Sequence, residues 1–253
     1  MSGHSHWATI KRKKGATDAA RGKLFTRIGR EVTVAAREGG ASLDGNVRLR
    51  LAVDKARAAN MPKENVDRAI QRGAGGGDDG IIMDELTYEG LGPHGIAVLV
   101  DVLTDNKNRS LAEIRQVFNR GGGRLAEGGA VSWQFDRKGR IEVVPAGVDV
   151  DTLMLEAADA GADDVVPGDE SIEIITPREA LGMVESKLVQ GGYKVSDSSL
   201  TWVAKNEIEL EGAAFGIQAM NFLEKLEELD DVQGVSSNLH VTDEQAEAFA
   251  EQE

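Results

Sequence analysis

From Thr17 onward the apolar residues Leu24, Phe25, Ile28, Val32 and Ala35 recur at helical spacing, and Gly39-Gly40 end the run. Asn46 suits the N-cap of a second helix carrying Leu49, Val53 and Ala56. That helix should end near Asn60, because Met61 precedes Pro62 and the residue before a proline avoids helical angles. Pro62 then fits the first turn of a third helix with Val66, Ala69 and Ile70, closed by Gly73. Three short amphipathic helices of this kind can share one small core.

The stretch GAGGGDDG (73–80) breaks the pattern and reads as a flexible joint. Beyond it the periodicity becomes mixed. Leu86–Glu89 and Ile96–Leu103 read as strands joined through the loop Gly90–Gly95, Arg109–Arg120 as a helix, and Ala130–Phe135 as a strand. A second set follows. It comprises strands at Arg140–Val144, Ser171–Ile175 and Ser199–Ala204 with helices at Val150–Ala160 and Arg178–Gln190. A helix over Ala213–Leu229 and a strand over Val235–Val241 complete the series. So many elements overfill one sheet, so residues 137–210 are expected to form a βαββαβ unit inserted within another made of 81–136 and 211–241. The fold class is therefore α+β: a small helical bundle over residues 1–74, a Gly-rich linker at 75–80, and two ferredoxin-like α/β units. Residues 242–253 form an acidic tail, in which Thr242 and Gln245 have the spacing of a capping box for a short, frayed helix. This tail could fold back on a basic segment.

Charge changes the picture. The chain of 253 residues carries a net charge of −14. Yet residues 1–74 hold 16 Lys and Arg against 7 Asp and Glu, and residues 75–253 hold 13 against 36. Such sign asymmetry suits an anionic partner for one part and solubility for the other. The chain has no Cys, which excludes disulfides and thiolate metal sites and fits a reducing, cytoplasmic setting. Its longest apolar run, Ile96–Val100, is far short of a membrane span, and the start lacks the apolar region of a secretory signal.

The basic beginning carries the strongest chemistry. His4, His6 and Trp7 precede four consecutive cations, Lys11, Arg12, Lys13 and Lys14; Arg21, Lys23, Arg27 and Arg30 follow. Lys and Arg neutralise phosphates and release counterions without regard to sequence. Trp7 could stack on an unpaired base or pack under the cationic helix. Lys23, Arg27 and Arg30, at i, i+4 and i+7, form a stripe away from the Leu24/Ile28/Val32 ridge. A second candidate is TDNKNRS (104–110). There Asn106, Lys107, Asn108 and Arg109 could offer amides and cations to phosphate beside a helix N-terminus, or Asn108 could simply cap that helix.

Other motifs lack their context. GLGPHG (90–95) matches a dinucleotide fingerprint literally, but a strand rather than a helix follows it. GAGGGDDG has no Lys-Ser/Thr, and its aspartates would repel phosphate. No nucleophile elbow or zinc-protease motif appears, so no catalytic residue, cofactor or metal is assigned. If Met1 is removed, Ser2-Gly3-His4 could offer square-planar nitrogen ligands to Cu(II) or Ni(II), but three residues at a terminus are a weak signal. The pairs Asp78-Asp79, Asp163-Asp164, Asp169-Glu170 and Asp230-Asp231 read as solvated turns.

Several stretches together resemble the YebC/PmpR family, relatives of the mitochondrial translational activator of cytochrome oxidase subunit one. They are GHSHWATIKRKK, DAARGKLFTR, NVRLRLAVDKARAANMPKENVDRAIQRG, GGGDD, LTYEGLGPHG and LTDNKNRS, dense from residue 2 to about 135. Two positions depart from the family: His6 replaces a usual lysine, and Arg12 stands where histidine is common. The resemblance implies three domains and a cytosolic, non-enzymatic regulator. Members are described as DNA-binding transcriptional regulators or as ribosome-associated factors that help translation through difficult stretches such as proline runs. Ribosomal RNA is the favoured partner and DNA the alternative. The cations are spread over a tail and three helices, with no Asn or Gln grouped for base edges.

Overall fold

The computed structural model describes residues 18–75, 83–168 and 171–251, with side chains from Gly22 onward. Helices α1 (Asp18–Gly39), α2 (Val47–Ala58) and α3 (Lys63–Gly73) come first. Their inward faces, among them Ile28, Val32, Leu49, Val53, Val66 and Ala69, form one cluster. Asn46 caps α2 as its sequence position suggests, accepting from the Leu49 N–H at 3.0 Å. Its amide also donates to the carbonyls of Ala35 (2.6 Å) and Gly40 (2.8 Å), which fixes the turn between α1 and α2. Pro62 occupies the N-cap position, one residue before α3 begins.

A mixed α+β body follows. Strands β1 (Asp84–Leu91) and β2 (Ala97–Thr104) form a hairpin, so the GLGPHG stretch is its connecting loop. Helix α4 (Lys107–Arg120) and the short β3 (Arg124–Leu125) precede β4 (Phe135–Val143). Next come α5 (Val150–Ala160), β5 (Asp164–Val166), β6 (Ile172–Pro177), α6 (Leu181–Gln190) and β7 (Val195–Ala204). The chain closes with β8 (Ile208–Glu209), α7 (Ala213–Glu227), β9 (Val232–Ser237), β10 (Leu239–His240) and α8 (Asp243–Ala250).

The first sheet has the order β3-β1-β2-β9 and the second β5-β6-β4-β7, all pairs antiparallel; β8 and β10 form a small parallel pair. The second sheet, strands β4 to β7 with α5 and α6, has the βαββαβ order of a ferredoxin-like unit. After β7 the chain returns through α7 to lay β9 beside β2. Each sheet has its own core: Ile96, Val98, Phe118, Phe222 and Leu226 beside the first, and Ile141, Leu153, Ile174 and Val184 beside the second. Among the described residues, no helix is long and apolar enough to cross a membrane.

Three local expectations are corrected. The stretch 130–135 is not a strand. The buried Glu89 carboxylate accepts from the N–H groups of Gly129 (2.8 Å), Val131 (2.9 Å) and Ser132 (2.9 Å), drawing the segment into a loop and a single 3-10 turn before Phe135 opens β4. The cap of α4 is Asn106 rather than Asn108, accepting from the Arg109 N–H at 3.1 Å, so this helix starts two residues earlier. The last helix is not frayed through its described length. Thr242 and Gln245 form both capping-box bonds, and Phe249 is buried in the first core against α7.

Candidate nucleic-acid interface

The segment with His4, His6, Trp7, Lys11, Arg12, Lys13 and Lys14 lies outside the described residues, as does the Arg21 side chain. The rest of the α1 stripe has a definite destination, the C-terminal end of α7. The last carbonyls of an α-helix have no intrahelical donor, and the summed peptide dipoles leave that end partly negative. Lys23 Nζ donates to the Glu228 carbonyl at 3.1 Å and Arg27 to the Glu227 carbonyl at 2.6 Å. Arg30 donates to the Asp230 carbonyl. Spacing at i, i+4 and i+7 thus lines up three cations with three successive turns of α1 facing one helix end. Burial lowers the Arg27 guanidinium below its ordinary value, opposed by the nearby Glu227 and Asp230. It remains charged, as arginine does throughout the accessible range.

The stripe ends on Asp231. Although Asp230-Asp231 reads as a solvated turn, Asp231 is 2% exposed. Its carboxylate forms an ion pair with Arg30 at 2.8 Å and accepts from Ser110 (2.6 Å), Thr104 (2.9 Å) and Arg109 (2.8 and 3.1 Å). Burial alone would raise this carboxyl. Donation from Ser110, Arg109 and Thr104, with the charge of Arg30, outweighs it and holds the group below the ordinary carboxylate range. Asp231 therefore ties the α1 stripe to the TDNKNRS turn, bringing together two candidates that lie far apart in sequence. Nothing in the local pattern around Asp231 signals this role; a buried acid at a turn is visible only once β9 pairs with β2.

Within that turn each polar group is placed. Asn106 caps α4, Arg109 bridges Asp105 and Asp231, Lys107 pairs with Asp84 at 3.1 Å, and Asn108 is exposed. The helices, the first sheet and the second sheet meet around a cleft of about 2020 Å³. Both signs line it: Arg27, Arg48, Lys55 and Arg140 oppose Glu85, Asp101, Glu142 and Asp197. Lys55 on α2 reaches Asp197 on β7 at 3.5 Å and Glu31 on α1 at 3.7 Å. Arg140 lies among Glu142, Glu173 and Asp197. Asp101 joins the two sheets, accepting from Arg137 (2.8 Å) and the Trp202 indole (3.1 Å), while Arg137 lies over the Trp202 ring. This half-open, charge-balanced space is a junction between the helices and the two sheets, without the one-sided positive field that a polyanion channel needs. Among the described residues no group of His, Asp or Glu is arranged to hold a metal ion.

Comparison with known proteins places this arrangement in context. A family model described as the TACO1/YebC protein N-terminal domain matches residues 5–76, and one for the TACO1/YebC second and third domain matches residues 83–239. A "Probable transcriptional regulatory protein" of Herpetosiphon aurantiacus is 49% identical over 253 residues, covering both chains completely. One of the same description from Thermotoga maritima is 48% identical over 248 residues, covering 98% of this chain and 97% of that protein. Among solved structures, a conserved hypothetical protein of Aquifex aeolicus superposes with a TM-score of 0.88 at 42% identity, over 94% of this chain and 98% of that one.

Proposed function

Because the chain belongs to the TACO1/YebC family, we propose that it is a non-enzymatic, nucleic-acid-binding regulator of gene expression that acts on the ribosome. Residues 1–74 contact ribosomal RNA, and the protein assists elongation through difficult stretches such as proline runs. The single observation behind this reading is the charge division, with 16 Lys and Arg against 7 Asp and Glu in residues 1–74 and 13 against 36 thereafter. The docking of α1 on the end of α7 bears on the choice of polymer. It sets the basic helices directly against the acidic body, and a long duplex running past them would meet that body's repulsion. A ribosomal cleft can admit the helices alone.

Sedimentation of cell extracts with crosslink mapping tests the proposal. Co-sedimentation with ribosomes, with crosslinks from residues 4–72 to ribosomal RNA, is the expected result. Sedimentation as free protein, together with tight and salt-sensitive binding to one promoter, would replace it with the second reading, a DNA-binding transcriptional regulator. That reading is favoured by the descriptions of the relatives.

A further inference from the structure

Phosphate contacts need cations whose charge is not already spent inside the protein, so the basic side chains of α1 to α3 can be sorted by what they touch. Lys23, Arg27 and Arg30 hold the end of α7. Arg48 pairs with Glu38 (2.5 Å) and with Glu85; Lys55 reaches Glu31 and Asp197; Arg57 pairs with Asp54 at 2.8 Å. Arg50 donates to the carbonyls of Leu43 and Asp44, both at 3.2 Å, and Arg37 has an interaction of its own. Among the described side chains three cations remain, Lys63, Arg68 and Arg72. All three are on α3, all are exposed, and none has an ion pair or hydrogen bond among the described residues.

Their placement suits phosphate. Arg68 and Arg72 are four residues apart, so they project from one side of α3 on successive turns, about 6 Å apart along the axis. The neighbouring flank, Val66, Ala69 and Gly73, is buried against α1 and α2, which holds the ridge rigid. Glu64 sits in the first turn, where negative charge complements the helix dipole, and Gln71 adds an exposed amide beside the ridge. Lys63 lies across the exposed face from this ridge, roughly 160° around the helix at 3.6 residues per turn, with the exposed Asp67 and Gln71 between them.

We infer that the exposed Arg68–Arg72 ridge of α3 is a phosphate-backbone contact surface for RNA, whereas the α1 stripe is a docking element. This assignment rests on the proposed RNA-binding role and names the side chains that perform it. On this view Lys23, Arg27 and Arg30 position the helical unit so that α3 faces outward.

The test uses the full-length chain, purified ribosomes and a labelled single-stranded RNA, with affinity followed against salt concentration. Arg68→Ala/Arg72→Ala should weaken both and reduce the logarithmic salt slope by about 1.4, from about 0.7 per lost phosphate contact on a single strand. Arg68→Lys/Arg72→Lys should restore most of that slope. Arg27→Ala/Arg30→Ala should leave the slope within about 0.5 of wild type, less than one contact. Both arginines of the α3 pair are exposed and have no partner among the described residues, so unchanged circular dichroism is expected, and the lysine pair separates charge from folding. If the wild type binds and the α3 pair leaves its slope intact, with the loss appearing only in the α1 variant or in alanine replacements of Lys11–Lys14, the inference is overturned and the RNA-binding role survives. If the wild type binds neither ribosomes nor RNA, that role itself fails.

Discussion

Arg30 of α1 and Arg109 of α4 close on the same buried carboxylate, each with a guanidinium nitrogen 2.8 Å from an oxygen of Asp231. Two arginines side by side would repel; a single acid between them turns that repulsion into a clamp. Asp231 also accepts from Thr104 and Ser110, so it is an ion, fully hydrogen-bonded, at the meeting point of the N-terminal helices, α4 and β9.

Replacing Asp231 by Asn removes the charge with little change in volume and leaves two arginines facing each other. The expected loss is about 2–3 kcal/mol, the scale of hydrogen bonds to a charged group, read from urea unfolding with an unchanged m-value. The pH dependence has a definite sign. The folded carboxyl titrates below its unfolded value, so its contribution is present above about pH 4 and is lost as pH falls through the folded value. Asp231→Asn should flatten that acid limb. An unaltered limb in the variant would show that Arg30 and Arg109 do not depend on this charge.

Arg27 should matter more to the fold than Lys23, although both face the end of α7. Arg27 is half-buried and donates to the Glu227 carbonyl at 2.6 Å, whereas Lys23 is exposed. Arg27→Ala is expected to cost about 1–2 kcal/mol, through a lost partly buried cation at a helix C-terminus, and Lys23→Ala less than about 0.5 kcal/mol. Hydrogen exchange at the last amides of α7 is the readout. Faster exchange in the lysine variant alone would reverse the assignment.

Much of this fold was legible in the pattern of the chain. The ends of α1, the Asn46 cap, the β1–β2 hairpin and, apart from the short β5 at Asp164–Val166, the elements of the second sheet follow from local periodicity, Gly positions and capping chemistry. The misses at 130–135, Asp231 and α8 share one physical cause, a partner distant in sequence, whereas the α4 cap is a local choice between Asn106 and Asn108. Glu89 captures three N–H groups that a strand at 130–135 would have used, and Phe249 is buried by α7, which no feature of an acidic tail announces. The α1 stripe was visible as a stripe, but sequence carries no record of which anion it meets. A helix C-terminus offers carbonyl oxygens much as a phosphate does, and only the fold tells the two apart.

Glu89 offers an independent check on such captured loops. Burial raises its carboxyl, but N–H donation from Gly129, Val131 and Ser132 outweighs that and holds it below the ordinary range. Its stabilising contribution is therefore present above about pH 4.3 and fades as pH falls through the folded value. Glu89→Gln keeps one oxygen and places an N–H against three donors, so a loss of about 1–3 kcal/mol is expected. The amides of Gly129 and Val131 should exchange faster in the variant; unchanged protection there would mean the loop is held by something else.

Two glycines in the N-terminal helices should answer the same substitution with opposite signs. A Cβ at Gly73 would overlap the Thr33 carbonyl oxygen and come within 2.8 Å of the Ala36 Cβ, both on α1, with no flexible atom able to yield. Gly73→Ala must therefore push α3 off α1, at about 1–3 kcal/mol. At Gly22 no described atom beyond its chain neighbours and the helix's own backbone lies within 4 Å of the new Cβ, and the residue is inside α1, where alanine is the better helix former by about 0.8–1 kcal/mol. Gly22→Ala should thus stabilise the helix that carries Lys23 and Arg27. Thermal unfolding of the two variants beside wild type gives the comparison. Stabilisation by Gly73→Ala would mean that α1 and α3 are not in the close contact on which a rigid α3 face depends.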